Sequence, residues 1–275
     1  MSIRSYVAIG DSLSEGLGDH FFTQHRVGSG WTDRLARLLA LEASSESHEF
    51  EYANIAIRGS KLEEIMEGQL QHALELRPDL VTILAGNNNY FVGVERFDEL
   101  ERIFRAGLRR LKIAGIQVVL ANTINPIHLR FFGPLKPNAA RMSAMIDRVA
   151  ADLDFPVIDL YGMDQSAHLE FWHHDMVHFS AIGHKRIANA AAEILGIGSR
   201  FEMPGYVPSF AADRRLPETL AWLVRDVVPF LERRLRRTSS GVGIAQKLPA
   251  LQPLSLVPEV EAYLRDELTR VPHLA

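Results

Sequence analysis

A serine near the amino terminus is the first residue whose type and position could support chemistry. Ser12 lies in the sequence Gly-Asp-Ser-Leu at residues 10–13, directly after the apolar run Tyr-Val-Ala-Ile at residues 6–9. Ligand and catalytic groups in open parallel sheets collect at the carboxyl ends of strands, so this serine could act as a nucleophile. The same residues are also ordinary turn chemistry, with the serine capping the next helix, and that alternative stays open on this segment alone.

A histidine with a nearby carboxylate is the second candidate. His178 follows Asp175 by three residues, just ahead of a predicted helix over residues 180–195. A serine nucleophile needs a base and a group that orients the base, and this spacing allows a direct carboxylate–imidazole hydrogen bond. The alternative is a metal site that also includes His173 and His174, but the spacing matches no zinc pattern. We therefore interpret the pair as base and orienter.

Two further predicted strand ends carry donors for a negatively charged oxygen. Gly59 closes the segment 54–59, and a glycine lets the backbone approach a ligand and present its N–H group. Asn88 is the middle of three consecutive asparagines at residues 87–89, and its side-chain amide is a neutral donor. Each segment alone is equally explained as a plain turn. Their occurrence after successive strands, in chain order with the serine and the histidine, favours a shared site.

Alternating short and long apolar patterns predict the elements that position these residues. The predicted strands cover residues 6–9, 51–53, 80–85, 117–123 and 156–160. The predicted helices cover residues 31–41, 62–76, 97–114, 137–153 and 180–195. Strand–helix alternation is typical of a parallel sheet with helices on both faces. The sequence therefore predicts an α/β fold, a flavodoxin-like three-layer α/β/α sandwich with about five parallel strands.

The character of the chain changes after residue 200. Several prolines mark an irregular connection, followed by predicted helices over 218–237 and 259–271 with a loop over 238–258 between them. We expect a main domain over residues 1–200 and a C-terminal helical extension over 201–275 packed on it. A separate interaction module or a lid is the alternative for the extension.

Composition excludes several classes of function. The chain has 275 residues, is 47% hydrophobic and has a formal net charge of -4, so nothing indicates a nucleic-acid surface. It contains no cysteine, which excludes disulfides, thiol catalysis and cysteine-ligated zinc. Neither a signal-peptide pattern nor an apolar run long enough for a membrane helix is found. We expect a cytoplasmic protein without a membrane span.

Four ordered blocks resemble the motifs of the GDSL, or SGNH, serine hydrolases, a family of esterases and lipases. These blocks are residues 10–13, 54–59, 86–89 and 175–178, within a resemblance that covers roughly residues 5–195. The resemblance implies a flavodoxin-like fold, no metal or other cofactor, and hydrolysis of esters or thioesters. It assigns Ser12 as nucleophile, His178 as general base and Asp175 as its orienter. The implied oxyanion hole consists of the backbone N–H groups of Ser12 and Gly59 and the side chain of Asn88.

The chain departs from the family pattern at two positions. Asn89 stands where aspartate usually follows the catalytic asparagine, which predicts a looser loop around Asn88. Phe179 stands where proline often follows the histidine, which predicts a local change of packing. Arg58, Asn89 and Trp172 are candidate substrate-binding residues. Arg58 could recognise an anionic group of the substrate, and Trp172 lies in a loop that could border the site and form an acyl pocket. The sequence around Ser12 also lacks the Gly-x-Ser-x-Gly elbow of the α/β-hydrolases.

Together these features predict a cofactor-free serine esterase that acts on a small-molecule ester through an acyl-enzyme. An acyltransferase or a carbohydrate deacetylase with the same residues is one alternative. A non-catalytic binding protein on the same scaffold is another. The sequence sets neither the acyl length nor the oligomeric state.

Overall fold

A central six-stranded sheet carries the fold in this computed structural model, which describes residues 2–19, 30–126, 130–205, 209, 241, 243–254 and 268–270. The strands are β1 (Ser5–Gly10), β2 (Glu51–Asn54), β3 (Leu80–Leu84), β4 (Gln117–Ala121), β5 (Val157–Ile158), β6 (Ser199–Phe201), β7 (Leu248–Pro253) and β8 (Leu268–Arg270). The large sheet has the order β5-β4-β3-β1-β2-β7, and its first five strands are parallel. This confirms the predicted α/β fold and all five predicted strands.

Helices cover both faces of the sheet. They are α1 (Ser12–Glu15), α2 (Trp31–Ser45), α3 (Leu62–Glu64), α4 (Leu70–Leu76), α5 (Phe97–Ile113), α6 (Lys136–Leu153) and α7 (Ala181–Ile194). A π-helical segment, Ile65–Gln69, joins α3 to α4 without interrupting the helical path. Helices α2 and α7 pack on one face, and α3 to α6 pack on the other, which gives the predicted three layers.

The buried strands explain why two separate cores form. Successive side chains of a strand point to opposite faces of the sheet. In β1, Tyr6 and Ala8 join the core under α2 and α7, whereas Val7 and Ile9 join the core under α3 to α6. All four side chains are fully buried, so a continuous apolar run is required here rather than an alternating one.

The strand order changes direction at β1, which makes the edge beside β1 the topological switch point of the sheet. Strand β1 pairs in parallel with β2 on one side and with β3 on the other. Connections leave β1 and β3 on opposite faces, and a crevice forms at such a switch point outside the carboxyl ends of the strands. Ser12 lies just after β1 and Asn88 just after β3, so both lie at this switch point.

The C-terminal region differs from its prediction. Strand β7 lies within the segment 238–258, which the sequence predicts as a loop, and pairs antiparallel with β2 at the edge of the sheet. Strand β8 lies within the predicted helix 259–271 and pairs antiparallel with β6. Pro249 and Pro253 obscure the first strand in the sequence, because proline is tolerated in edge strands only. The predicted helix 218–237 lies outside the described residues.

Within the described part of the chain, no helix is both long enough and apolar enough to cross a bilayer. The cytoplasmic location and the domain boundary at residue 200 stay predictions.

Candidate active site

Ser12 begins a single helical turn at the end of β1. Gly10 has φ +150°, and a Cβ atom there would lie 2.6 Å from the carbonyl oxygen of Leu84, so only glycine fits this exit from the sheet. Asp11 caps α1, its Oδ1 accepting the N–H of Leu13 at 3.0 Å. The turn ends at Gly16, which is left-handed with φ +97°. Ser12 is half-buried at the start of this turn, where its backbone N–H has no intrahelical partner.

A glutamine of the π-helical segment binds the backbone of Gly10, the last residue of β1. Gln69 is buried, and its Oε1 accepts the Gly10 N–H at 2.7 Å while its Nε2 donates to the Gly10 carbonyl at 2.9 Å. The same Nε2 is 3.3 Å from the hydroxyl oxygen of Ser60, the residue after Gly59. One glutamine thus joins the strand end before Ser12 to the loop that carries Gly59.

Asp175 and His178 form the pair that the sequence predicts. Asp175 Oδ2 lies 2.7 Å from His178 Nδ1, and Oδ1 accepts the backbone N–H groups of Val177 and His178 at 2.9 and 3.0 Å. Burial alone raises the pKa of Asp175, but the hydrogen bonds and charge of His178 outweigh it, so the pKa lies below its usual range. The carboxylate is therefore ionised and fixed in position. His173 Nδ1 also approaches Asp175 Oδ2, at 3.3 Å.

Packing brings the histidine loop against the chain that follows α1. A Cβ atom on Gly18 would lie 2.3 Å from the carbonyl oxygen of Phe179 and 3.1 Å from the Cβ of His178. Burial raises the pKa of Asp11 to about 6, and the nearby charge of His178 opposes that shift. Among the described residues no hydrogen bond joins Ser12 to His178, and such bonds are often long in the absence of substrate.

Asn88 and Gly59 lie at the same end of the sheet. Asn88 Nδ2 donates to the carbonyl oxygen of Ser60 at 3.0 Å and to Asp11 Oδ2 at 3.3 Å, which links the loop after β3 to both neighbouring loops. Gly59 has φ +76°, a left-handed conformation that glycine adopts without strain. The structure therefore brings together the ends of β1, β2 and β3, as the sequence predicts.

Asn89 is not placed to bind substrate. Its side chain is fully buried, with Oδ1 accepting the Leu62 N–H at 2.9 Å and Nδ2 donating to Glu63 at 2.8 Å. Both amide atoms thus serve the start of α3. The sequence predicts a looser loop at this departure from the family pattern, whereas the structure shows the loop bonded to a helix. Its amide suits this place because it can donate to Glu63, which an ionised aspartate cannot do.

Trp172 and Arg58 are also engaged within the protein. Trp172 is buried and packs against Phe171 and Phe179. Its indole N–H donates to the Ser166 carbonyl at 2.8 Å. This burial argues against the predicted contact of Trp172 with the substrate. Arg58 forms an ion pair with Glu15 of α1, and its backbone N–H also donates to that carboxylate at 2.8 Å. Its charge is thus compensated inside the protein.

His184 is buried in α7 and hydrogen-bonds to α2 and to the chain after α1. Its titration should therefore change the free energy of unfolding with pH. Its Nδ1 accepts the Trp31 N–H and its Nε2 donates to the Leu17 carbonyl, each at 3.0 Å. Burial lowers its pKa to about 3, so the folded state holds it neutral. The unfolded chain has the ordinary value near 6.5, so the contribution to stability is present above pH 6.5 and is lost as the pH falls toward 3.

We expect wild type to lose about 3 kcal/mol of unfolding free energy from this group between pH 7 and pH 4. His184→Gln keeps one acceptor and one donor but does not titrate, so its loss over the same range should be smaller by that amount. Urea unfolding at both pH values measures the difference. Parallel pH dependences of the two proteins would contradict a neutral buried His184.

Two residues of this site were not predicted from the sequence. Asp11 lies inside the first motif, but its burial and its contact with Asn88 depend on the loop after β3. Gln69 interrupts the apolar stripe of the predicted helix 62–76. A polar residue on a buried stripe needs a partner, so this interruption could have indicated a structural contact.

Residues 8–186 match the sequence model of the GDSL-like lipase/acylhydrolase family. The match spans well over half of the 275 residues, so the chain belongs to this family. The protein is a carboxylic ester hydrolase. No curated protein sequence matches closely enough to add a relative. The family predicted from the four sequence blocks is therefore confirmed.

Solved structures of other proteins share the fold. The psychrotrophic esterase EstA from Pseudoalteromonas sp. is 16% identical with a TM-score of 0.54, and the match covers 70% of this chain and 97% of EstA. A catalytic mutant of Axe2, an acetylxylan esterase from Geobacillus stearothermophilus, is 18% identical with a TM-score of 0.57, covering 72% and 97% of the two chains. At these identities the likeness concerns the fold alone.

Proposed function

We propose that this protein is a serine esterase that hydrolyses small carboxylic esters or thioesters through an acyl-enzyme. Ser12 is the nucleophile, His178 the general base and Asp175 the group that orients it. The observation that carries the proposal is the 2.7 Å contact between Asp175 and His178, with the carboxylate fixed by two backbone N–H groups. No cofactor takes part in the proposed reaction.

The hydrogen bond to Asp175 decides which nitrogen of His178 can act. An ionised carboxylate only accepts hydrogen bonds, so His178 Nδ1 must carry the proton in the contact with Asp175. Nε2 then has its lone pair available as the base. When Nε2 takes a proton from Ser12, the resulting imidazolium is stabilised by the adjacent negative charge.

The reaction proceeds in two half-reactions. Ser12 Oγ attacks the ester carbonyl carbon while its proton passes to His178 Nε2, and a tetrahedral oxyanion forms. The bond to the leaving group breaks, His178 returns the proton to the leaving oxygen or sulfur, and Ser12 remains acylated. Water then attacks the acyl-enzyme with the same base, and its collapse releases the carboxylic acid and restores Ser12.

Three donors at the ends of neighbouring strands support the oxyanion. Backbone N–H groups of Ser12 and Gly59 supply two, and the Asn88 side chain supplies the third. Asn88 Nδ2 lies 3.0 Å from the Ser60 carbonyl oxygen and 3.3 Å from Asp11 Oδ2. We assign to the oxyanion the N–H that makes the longer hydrogen bond, the one to Asp11. A donor fixed by one short hydrogen bond needs little reorganisation when charge develops.

Removing the Asn88 donor should lower turnover without preventing binding. We expect Asn88→Ala to reduce kcat by about 10²–10³-fold, because the lost N–H bond is made mainly in the transition state. Steady-state kinetics with a p-nitrophenyl ester measure the effect. Asn138→Ala is a matched control, since its amide donates to backbone carbonyls of Tyr90 and Val92. An unchanged kcat in Asn88→Ala would remove this residue from the oxyanion hole.

Hydrolysis of a chain-length series tests the proposed function. The substrates are p-nitrophenyl esters from acetate to long acyl chains, with Ser12→Ala as the background. Activity above that background supports the serine mechanism, and the optimum gives the size of the acyl pocket. Activity equal to the background with every ester contradicts the proposal. Adding an alcohol acceptor distinguishes the acyltransferase alternative, because a transferase yields a new ester in preference to acid.

A further inference from the structure

A lysine from the C-terminal region contacts the helical turn that begins with Ser12. Lys247 precedes β7, and its Nζ donates to the carbonyl oxygen of Glu15 at 2.9 Å and to Asp33 Oδ2 at 2.6 Å. Glu15 is the last residue of α1, where carbonyl groups lack intrahelical partners and a positive charge is favourable. This lysine lies outside the family match, which ends at residue 186.

The contact is anchored in the interior. Asp33 is fully buried, and its carboxylate also accepts the Gly30 N–H and the Tyr52 hydroxyl, each at 3.0 Å. A buried carboxylate needs a nearby cation, and Lys247 makes the ion pair with it. Lys247 is therefore held in one place by Asp33 and presents its ammonium group to the end of α1.

A second contact from the same region reaches the loop that carries Gly59. A Cβ atom on Gly241 would lie 2.3 Å from the carbonyl oxygen of Arg58 and 2.7 Å from a methyl carbon of Ile57. Only a glycine can approach this backbone so closely. The ion pair of Arg58 with Glu15 joins this loop to α1. Gly241 and Lys247 thus contact the two elements that present backbone N–H groups to the proposed oxyanion hole.

We propose that Lys247 is a positioning residue for the oxyanion hole, setting α1 against the loop of Gly59 through its contact with the Glu15 carbonyl. This inference rests on the proposed function. Because the two N–H groups must both point at one developing oxyanion, a small shift of α1 weakens transition-state binding more than substrate binding.

The test compares Lys247→Met with Lys112→Met in the full-length protein. Lys112 makes the same type of contact elsewhere, donating to the carbonyl of Leu153 at the end of α6 at 2.6 Å. We expect Lys247→Met to lower kcat and the rate of reaction with a fluorophosphonate by about 10–100-fold, with KM changed by about twofold or less. Lys112→Met should match wild type in all three quantities.

Two further variants guard against simple loss of folding. Lys247→Met leaves Asp33 without its ion pair, so Lys247→Met combined with Asp33→Asn removes the buried charge as well. Tyr52 can reverse its hydrogen bond to accept from the new amide. Gly241→Ala changes no charge and displaces the Gly59 loop directly. Both proteins are expected to show the same loss of kcat and labelling rate while they remain folded by circular dichroism.

The possible outcomes distinguish a failure of the Lys247 proposal from a failure of the proposed serine mechanism. A folded double variant that keeps the kcat and labelling rate of wild type would overturn the role of Lys247, whatever Gly241→Ala does. A folded Gly241→Ala that keeps both quantities would overturn the idea that this region sets the position of the Gly59 loop. A loss confined to KM would also overturn it, because an oxyanion hole acts on the transition state. Full activity of Ser12→Ala would instead overturn the serine mechanism itself, whatever the Lys247 variants do.

Discussion

Replacing Ser12 by alanine is expected to lower kcat for ester hydrolysis by about 10⁴–10⁶-fold. In the proposed mechanism the alanine variant has no oxygen to form the acyl-enzyme, so only oxyanion stabilisation and substrate binding remain. KM should change little, because the proposed ester site at the ends of β1 and β3 loses only one oxygen atom. The rate of p-nitrophenyl acetate hydrolysis, divided by the concentration of folded protein, measures the loss of kcat.

Ser14→Ala is the matched control for this experiment. Ser14 lies in the same turn, is fully buried, and its hydroxyl has no hydrogen-bond partner within the described part of the chain. Its removal should leave kcat unchanged. If Ser12→Ala retained more than about a hundredth of the wild-type kcat, the acyl-enzyme mechanism through this residue would be wrong.

Replacing His178 by alanine should cost about as much as replacing Ser12. Residues that act as a unit lose nearly the same rate whichever of them is removed, so we expect a decrease of about 10⁴–10⁶-fold in kcat. Asp175→Ala should be milder, because the imidazole remains and loses only its orienting partner. The same ester assay, run over a range of pH for all three variants, measures the order of the effects.

His173 is the rival base, because it is the other imidazole within reach of Asp175, at 3.3 Å. We expect His173→Ala to retain most of the wild-type kcat. A larger loss in His173→Ala than in His178→Ala would exchange their assigned roles. Equal and complete losses in Asp175→Ala and Ser12→Ala would show that the carboxylate is indispensable rather than supporting.

The part of the fold that follows from local pattern was predictable. The five parallel strands are marked by short, continuous apolar runs, and the predicted helices by apolar residues at period 3.6, which each segment carries in its own sequence. The rules for crossover connections then leave only a few sheet topologies, and the flavodoxin-like one is among them. The ends of β1, β2 and β3 therefore come together, and with them the segments of Ser12, Gly59 and Asn88.

Long-range pairing was not predictable. Strand β7 forms against β2, about two hundred residues earlier, and its Leu-Pro-Ala-Leu-Gln-Pro sequence has little strand propensity of its own. The position of Lys247 likewise depends on its contact with Asp33, and no spacing in the sequence indicates that contact. Side-chain direction could not be predicted either, since Asn89 lies within the third block and Trp172 close to the fourth, yet both side chains are buried.

Labelling with a fluorophosphonate tests the central claim most directly, because only an activated nucleophile reacts. The purified protein is treated with the reagent, digested and analysed by mass spectrometry. The account predicts one phosphonyl group per chain, located on Ser12, absent in Ser12→Ala and formed much more slowly in His178→Ala. A protein that hydrolyses esters but carries no label, or carries it on another residue, would contradict the account.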